Sequence, residues 1–158
     1  MPALSEAIIP YDPQEWSTSA VSSYTVWQYA IRPSSSIIIV QTGVLTDGAR
    51  EIVGKIKTFS DLPENWDSYG ATPPSKTAVR NALSLVRSVD ERRLPIFFTA
   101  PGPNGEVLVE LKQGTRSIEF TFDSKGSSSY AKFEGVECLE ENTLSDQNLS
   151  DLAAWLSS

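Results

Sequence analysis

The chain holds no histidine in its 158 residues. Histidine changes charge near neutral pH, which makes it the commonest general acid/base and metal ligand there. Without it, Ser-His-Asp and Cys-His nucleophile pairs are excluded, along with nearly every catalytic zinc site. Cysteine is almost as scarce. Cys138 stands alone, so neither an intramolecular disulfide nor a cysteine-rich metal site can form. Its neighbours Glu137, Glu140 and Glu141 oppose thiolate formation, which argues against a reactive nucleophile. No apolar run approaches the roughly 18 residues that span a bilayer. The first ten residues hold neither Lys nor Arg, and no signal peptide is expected. Glycine-rich phosphate loops are missing too. These absences lead us to expect a cytoplasmic protein with no cofactor, no metal, no membrane contact and no hydrolase or metalloenzyme activity of a standard kind.

Lysine and arginine disappear from Phe133 onward, where Glu134, Glu137, Glu140, Glu141, Asp146 and Asp151 stand unopposed. Nearly all of the formal net charge of −7 therefore lies in the last 26 residues. Such a surface repels a phosphate backbone, so direct nucleic-acid binding is not expected. It suits a basic protein partner, against the simpler reading of a solvated helix that keeps the chain soluble.

What is present reads as one α+β domain over residues 21–158, preceded by an irregular Pro- and Ser-rich arm over 1–20 that carries Tyr11 and Trp16. Alternation at 25–32, a turn at 33–35 and a β-branched run at 37–40 predict an N-terminal hairpin. Ile52, Val53, Ile56 and Phe59 fall at helical spacing and predict a helix near 48–59. Ser75 follows two prolines at an ideal N-cap position. Val79, Ala82, Leu83, Val86 and Val89 continue it as a helical stripe over 75–89.

At Pro95 the period changes from 3.6 to 2. Strands are expected around 95–100, 106–111 and 117–122, with 128–134 as the last, giving an antiparallel meander under helix 75–89. A two-residue loop at Gln113-Gly114 would set Val109 opposite Ile118 and Val107 opposite Phe120. A second amphipathic helix is expected near 146–157, with Trp155 beside its stripe of Leu149, Leu152, Ala153 and Leu156.

Residues 62–75 pack Trp66 and Tyr69 into a loop punctuated by Pro63, Gly70, Pro73 and Pro74. Aromatics held between fixed-φ prolines suggest a loop that folds back on itself. Asn65 and Asp67 are expected to bond loop amides, Trp66 to be largely buried against helix 75–89, and Tyr69 to reach a backbone partner, with Gly70 completing the turn. The competing reading makes Trp66, Asp67 and Tyr69 a ligand-binding shelf. With the following helix and the Pro101-Gly102-Pro103-Asn104-Gly105 hairpin, this Asn-Trp-Asp-x-x-Gly-Ala loop resembles a group of uncharacterised bacterial and phage-associated proteins, over about residues 60–134. The resemblance implies an α+β unit from prokaryotic accessory genes and brings no activity with it.

Three sets of charged residues remain. Glu106, Glu110 and Glu119 are expected on the solvent face of the meander, with Glu119 near Leu108 and Tyr130. Paired carboxylates of that kind can perform acid/base or glycosidase chemistry or bind a small ligand, although such faces are more often simply solvated. Arg80, Arg87, Arg92 and Arg93 decorate the exposed side of helix 75–89, where an accessory nucleic-acid contact competes with a solvated face. Glu134, Glu137, Glu140 and Glu141, with Trp155 as an apolar anchor if it is exposed, form the expected partner surface. The functional expectation is a non-catalytic protein-binding module: an inhibitor, antitoxin-like or immunity-type protein of bacterial or phage origin. Its partner would be a basic nucleic-acid-handling protein.

Overall fold

Ser75 starts the longest helix among the described residues because its hydroxyl oxygen accepts the N–H of Ala78 at 3.0 Å, satisfying a donor that the first turn leaves open. This helix, α2 (Lys76–Glu91), buries Ala78, Val79, Ala82, Leu83, Leu85, Val86 and Val89. It ends in a Schellman motif. Arg93 adopts φ 57°, its N–H reaches the carbonyl of Asp90 at 2.9 Å, and the N–H of Leu94 reaches that of Val89 at 3.0 Å. Leu94 and Val89 are both buried, which supplies the apolar contact that accompanies such a cap.

The structure is a computed structural model that describes residues 44–158. The arm at 1–20 and the hairpin expected at 25–40 lie outside the described residues. From Leu45 to Ser158 the chain forms one unit. Before α2 comes α1 (Asp47–Thr58), capped by Thr46 and continued by a 3-10 turn, Phe59–Asp61. Asp47 in its first turn and Lys55 and Lys57 in its last suit the helix dipole, and it buries Ala49, Val53 and Ile56.

Five strands follow: β1 (Ile96–Pro101), β2 (Val107–Gln113), β3 (Arg116–Phe122), β4 (Ser128–Glu134) and β5 (Glu137–Thr143). Each pairs antiparallel with the next, in the order β1-β2-β3-β4-β5. The last element, α3 (Asp146–Ser157), opens with a capping box between Ser145 and Asn148. Val107, Val109, Leu111, Ile118, Phe120 and Phe122 are all buried on the sheet face that meets α2 and α3. The α+β class, the meander, its helical cover and the C-terminal helix match the reading of the sequence.

Two expectations fail. The β2–β3 loop is Gly114-Thr115, one residue later than predicted, with Gly114 at φ 61° and Gln113 opposite Arg116. Val109 therefore faces Phe120 and Val107 faces Phe122. Glycine belongs at the first central position of such a loop, because that position takes positive φ. The second failure is larger: 128–134 is not the last strand. After a Gly135-Val136 turn, with Gly135 at φ 62°, the acidic stretch pairs as β5, with every residue exposed. Glu137, Glu140 and Glu141 thus sit on β5 at the sheet edge and Glu134 at the end of β4, while Asp146 and Asp151 lie on α3.

Candidate functional site

The loop before α2 is closed by its own polar side chains. The Asn65 side-chain oxygen accepts the N–H of Gly70 at 2.6 Å, and one oxygen of Asp67 accepts those of Tyr69 and Ala71 at 2.8 and 3.0 Å. The Tyr69 and Ala71 amides hold the Asp67 carboxyl below the usual carboxylate range. Asn65, Ser68 and Gly70 adopt φ of 60°, 67° and 95°. The loop rests on the β1–β2 turn, where Thr72 N–H reaches the Pro103 carbonyl at 2.9 Å and Ser75 N–H that of Gly105 at 3.0 Å. Gly105 is required there. Its φ is +84°, and a Cβ would stand 3.2 Å from Ser124 Cβ.

Neither aromatic of this loop behaves as expected. Trp66 is only half-buried and is absent from the core; its indole N–H donates to the Thr72 carbonyl at 3.4 Å. Tyr69 is 94% exposed, and its phenol has no hydrogen bond among the described residues. The physical reason is that Asn65 and Asp67 close the loop unaided, so its rings need not turn inward.

The acidic end divides into paired and unpaired groups. Glu134 accepts from the Thr115 hydroxyl at 2.7 Å and from Arg116 Nε at 3.0 Å, and these donors hold its carboxyl low. Glu140 takes the Tyr130 hydroxyl and lies 3.6 Å from Lys132 Nζ. That hydrogen bond, followed by burial, pushes the Tyr130 phenol up to about 12. Trp155 is half-buried, with Arg116 5.1 Å and Lys132 4.6 Å from its ring centre, and its carbonyl accepts from Arg116 at 2.8 Å. It is therefore part of a neutralised cluster and not a free anchor. Glu137 and Glu141 are exposed, without a partner among the described residues. The missed signal was Arg116 and Lys132 themselves: basic residues occupying the apolar alternation of β3 and β4.

Glu110 and Glu119 come together as direct cross-strand partners on the sheet face turned away from α2 and α3. Burial, and then the charge of Glu119, raise the Glu110 carboxyl, with Lys112 and Ser117 opposing. Glu106 does not join them. It sits in the β1–β2 turn, accepting the N–H of Asn104 at 2.7 Å. Tyr130 is likewise misplaced by the sequence reading, since it is buried opposite Phe120, and Ala131 is the neighbour of Glu119. Of the arginines, Arg80 is exposed, Arg87 lies 3.2 Å from Glu91, Arg92 is the C-cap and donates to the Ser88 carbonyl at 2.8 Å, and Arg93 takes the left-handed position after it.

Among the described residues no group of three or more acidic or cysteine side chains is placed to hold a metal ion, and no helix is long and apolar enough to cross a membrane. Comparison with family models, curated proteins and solved structures finds no match for this chain.

Proposed function

We propose that this α+β protein is a non-catalytic protein-binding module, an inhibitor, antitoxin-like or immunity-type protein whose partner carries a basic surface. The observation that carries this reading is β5, the outermost strand among the described residues, with all seven residues exposed and with Glu137 and Glu141 lacking a side-chain partner among those residues. A bare edge invites pairing with another chain, and glutamates along it reject acidic or neutral strands while admitting a basic one. A nucleic-acid-handling protein offers such a surface, and opposite charges steer the encounter. The absence of histidine and the solitary, acid-flanked Cys138 fit a protein that acts by occupying its target.

The test is co-purification from the native host at low and high salt, comparing the parent with Glu137→Gln/Glu141→Gln. A partner retained at low salt, released by salt and weakened by the double variant supports the reading. Binding that ignores both salt and the two substitutions would assign the acids to protecting the edge from aggregation.

A further inference from the structure

The second face of the sheet is covered by no described element. Phe98 is 44% exposed on it, and Leu108, Ala131 and Phe133 are half-buried. The strand registers place Phe98, Glu110, Glu119, Ala131 and Glu141 in one row across all five strands. Three carboxylates thus stand in line on a face that also carries apolar and small residues and Lys112. Lys112 offsets part of the charge of Glu110, whereas Glu119 and Glu141 have no ion pair among the described residues; Lys55 and Lys112 lie over the rings of Phe98 and Phe97. The next row, Ala100, Leu108, Thr121, Ser129 and Thr143, is uncharged throughout.

We infer that this open face is a docking surface for a basic amphipathic helix of the protein partner, laid across the strands. The inference rests on the protein-binding reading above and gives it a second, larger contact. Charge selects the occupant, and spacing selects its form. Neighbouring strands lie about 4.8 Å apart, so Glu110 and Glu119 are separated by about one such step and Glu141 lies about two steps further on. On a helix, residues three apart are about 4.5 Å apart along the axis and residues seven apart about 10.5 Å. Lysines or arginines at i, i+3 and i+10 would therefore meet all three glutamates. Apolar residues beside them would cover Phe98 and Leu108. The whole row spans about 19 Å, the length of a helix of about 13 residues.

The experiment uses the 15N-labelled full chain and a synthetic helical peptide of about 14 residues, with lysines at that spacing and leucines beside them. Saturable binding should shift the amides around Glu110, Glu119, Ala131 and Glu141. The triple variant Glu110→Gln/Glu119→Gln/Glu141→Gln should bind about tenfold more weakly, whereas the equally charged control Glu51→Gln/Asp61→Asn/Glu64→Gln should stay within about twofold of the parent. Equal weakening of both triples would reduce the effect to net charge and overturn the proposal, as would shifts centred elsewhere or no saturation. A doubled mass without peptide would give the face to a second copy and overturn it too. If the face triple still co-purifies with the host partner as the parent does, the docking face is wrong while the protein-binding reading stands.

Discussion

Asp90, only 8% exposed in the last turn of α2, accepts both the backbone N–H of Thr46 at 3.0 Å and its hydroxyl at 2.5 Å. A carboxylate at a helix C-terminus is opposed by the dipole, so these donors offset an unfavourable position. Thr46 is also the N-cap of α1, its hydroxyl oxygen accepting the N–H of Ala49 at 3.3 Å. One side chain thus ties the start of α1 to the end of α2.

That tie sets the first prediction. Asp90→Ala leaves the Thr46 N–H and hydroxyl without their acceptor and should cost about 2 kcal/mol in denaturant unfolding. Thr46→Val loses the cap as well and should cost about 1–2 kcal/mol. Because the residues share their bonds, the double variant should lose clearly less than the sum. Strict additivity would show that the two side chains act independently.

The second prediction concerns Arg93, a side-chain-bearing residue in the left-handed position of the Schellman motif. Glycine takes that conformation without the Cβ clash. Arg93→Gly should therefore stabilise the protein by about 1 kcal/mol, and Arg93→Val should destabilise it. A lower melting temperature for the glycine variant would mean that the arginine side chain contributes more than its backbone costs.

These caps show what a sequence displays openly. Ser75 and the apolar stripe behind it were legible because helix capping and burial both leave marks at fixed spacing. The meander was legible because each of β2 and β3 buries one face, so apolar and polar residues alternate. The β2–β3 register slipped because Gln113-Gly114 and Gly114-Thr115 are both acceptable two-residue loops. The positive φ of Gly114 at the first central position and the pairing of Gln113 with Arg116 decide between them. β5 was illegible for a different reason. With all seven residues exposed it needs no alternation, and its glutamates read as a solvated tail. The candidate surface suffered accordingly, since which glutamates are neutralised depends on Arg116 and Lys132, brought close only by the strand pairing.

The third prediction follows from the opposed Glu110 and Glu119. The raised folded value of Glu110 means that its contribution favours folding when protonated, in full below the unfolded value. It is lost as pH rises through the folded value. Glu110→Gln should therefore stabilise the protein at neutral pH by a few tenths of a kcal/mol, a small effect because solvent screens the exposed Glu119. The gain should vanish in acid, where the parent is protonated already. A gain that persisted undiminished at low pH would point to packing and not charge.

The fourth prediction separates the two loop aromatics. Trp66 is half-buried, so Trp66→Ala should cost about 1–2 kcal/mol, short of the 3–5 expected for a fully enclosed ring. Tyr69, almost fully exposed, should be replaceable by Ala within about 0.5 kcal/mol. Chemical denaturation of both variants measures this directly. A large loss for Tyr69→Ala would mean that the ring supports the loop despite its exposure.

Arg116 carries the last prediction. It joins Glu134 on the adjacent strand to the ring and carbonyl of Trp155 and to the hydroxyl of Ser158, all from one planar head. A cation at the C-terminal carbonyls of α3 is favourable to the helix dipole, and the fork geometry lets one arginine serve several acceptors at once. Arg116→Ala should therefore loosen the last turn of α3 before anything else, raising amide exchange at 155–158 by about tenfold while the β2 and β3 core amides keep their protection. Arg116→Lys retains the charge but not the fork and should fall between the two. Lys132→Ala removes only one of the two cations at the Trp155 ring and one partner of Glu140, so its effect on the same amides should be smaller. If Lys132→Ala loosened the helix end as much as Arg116→Ala, the Trp155 ring contact would be what holds it, and the carbonyl bond would be incidental.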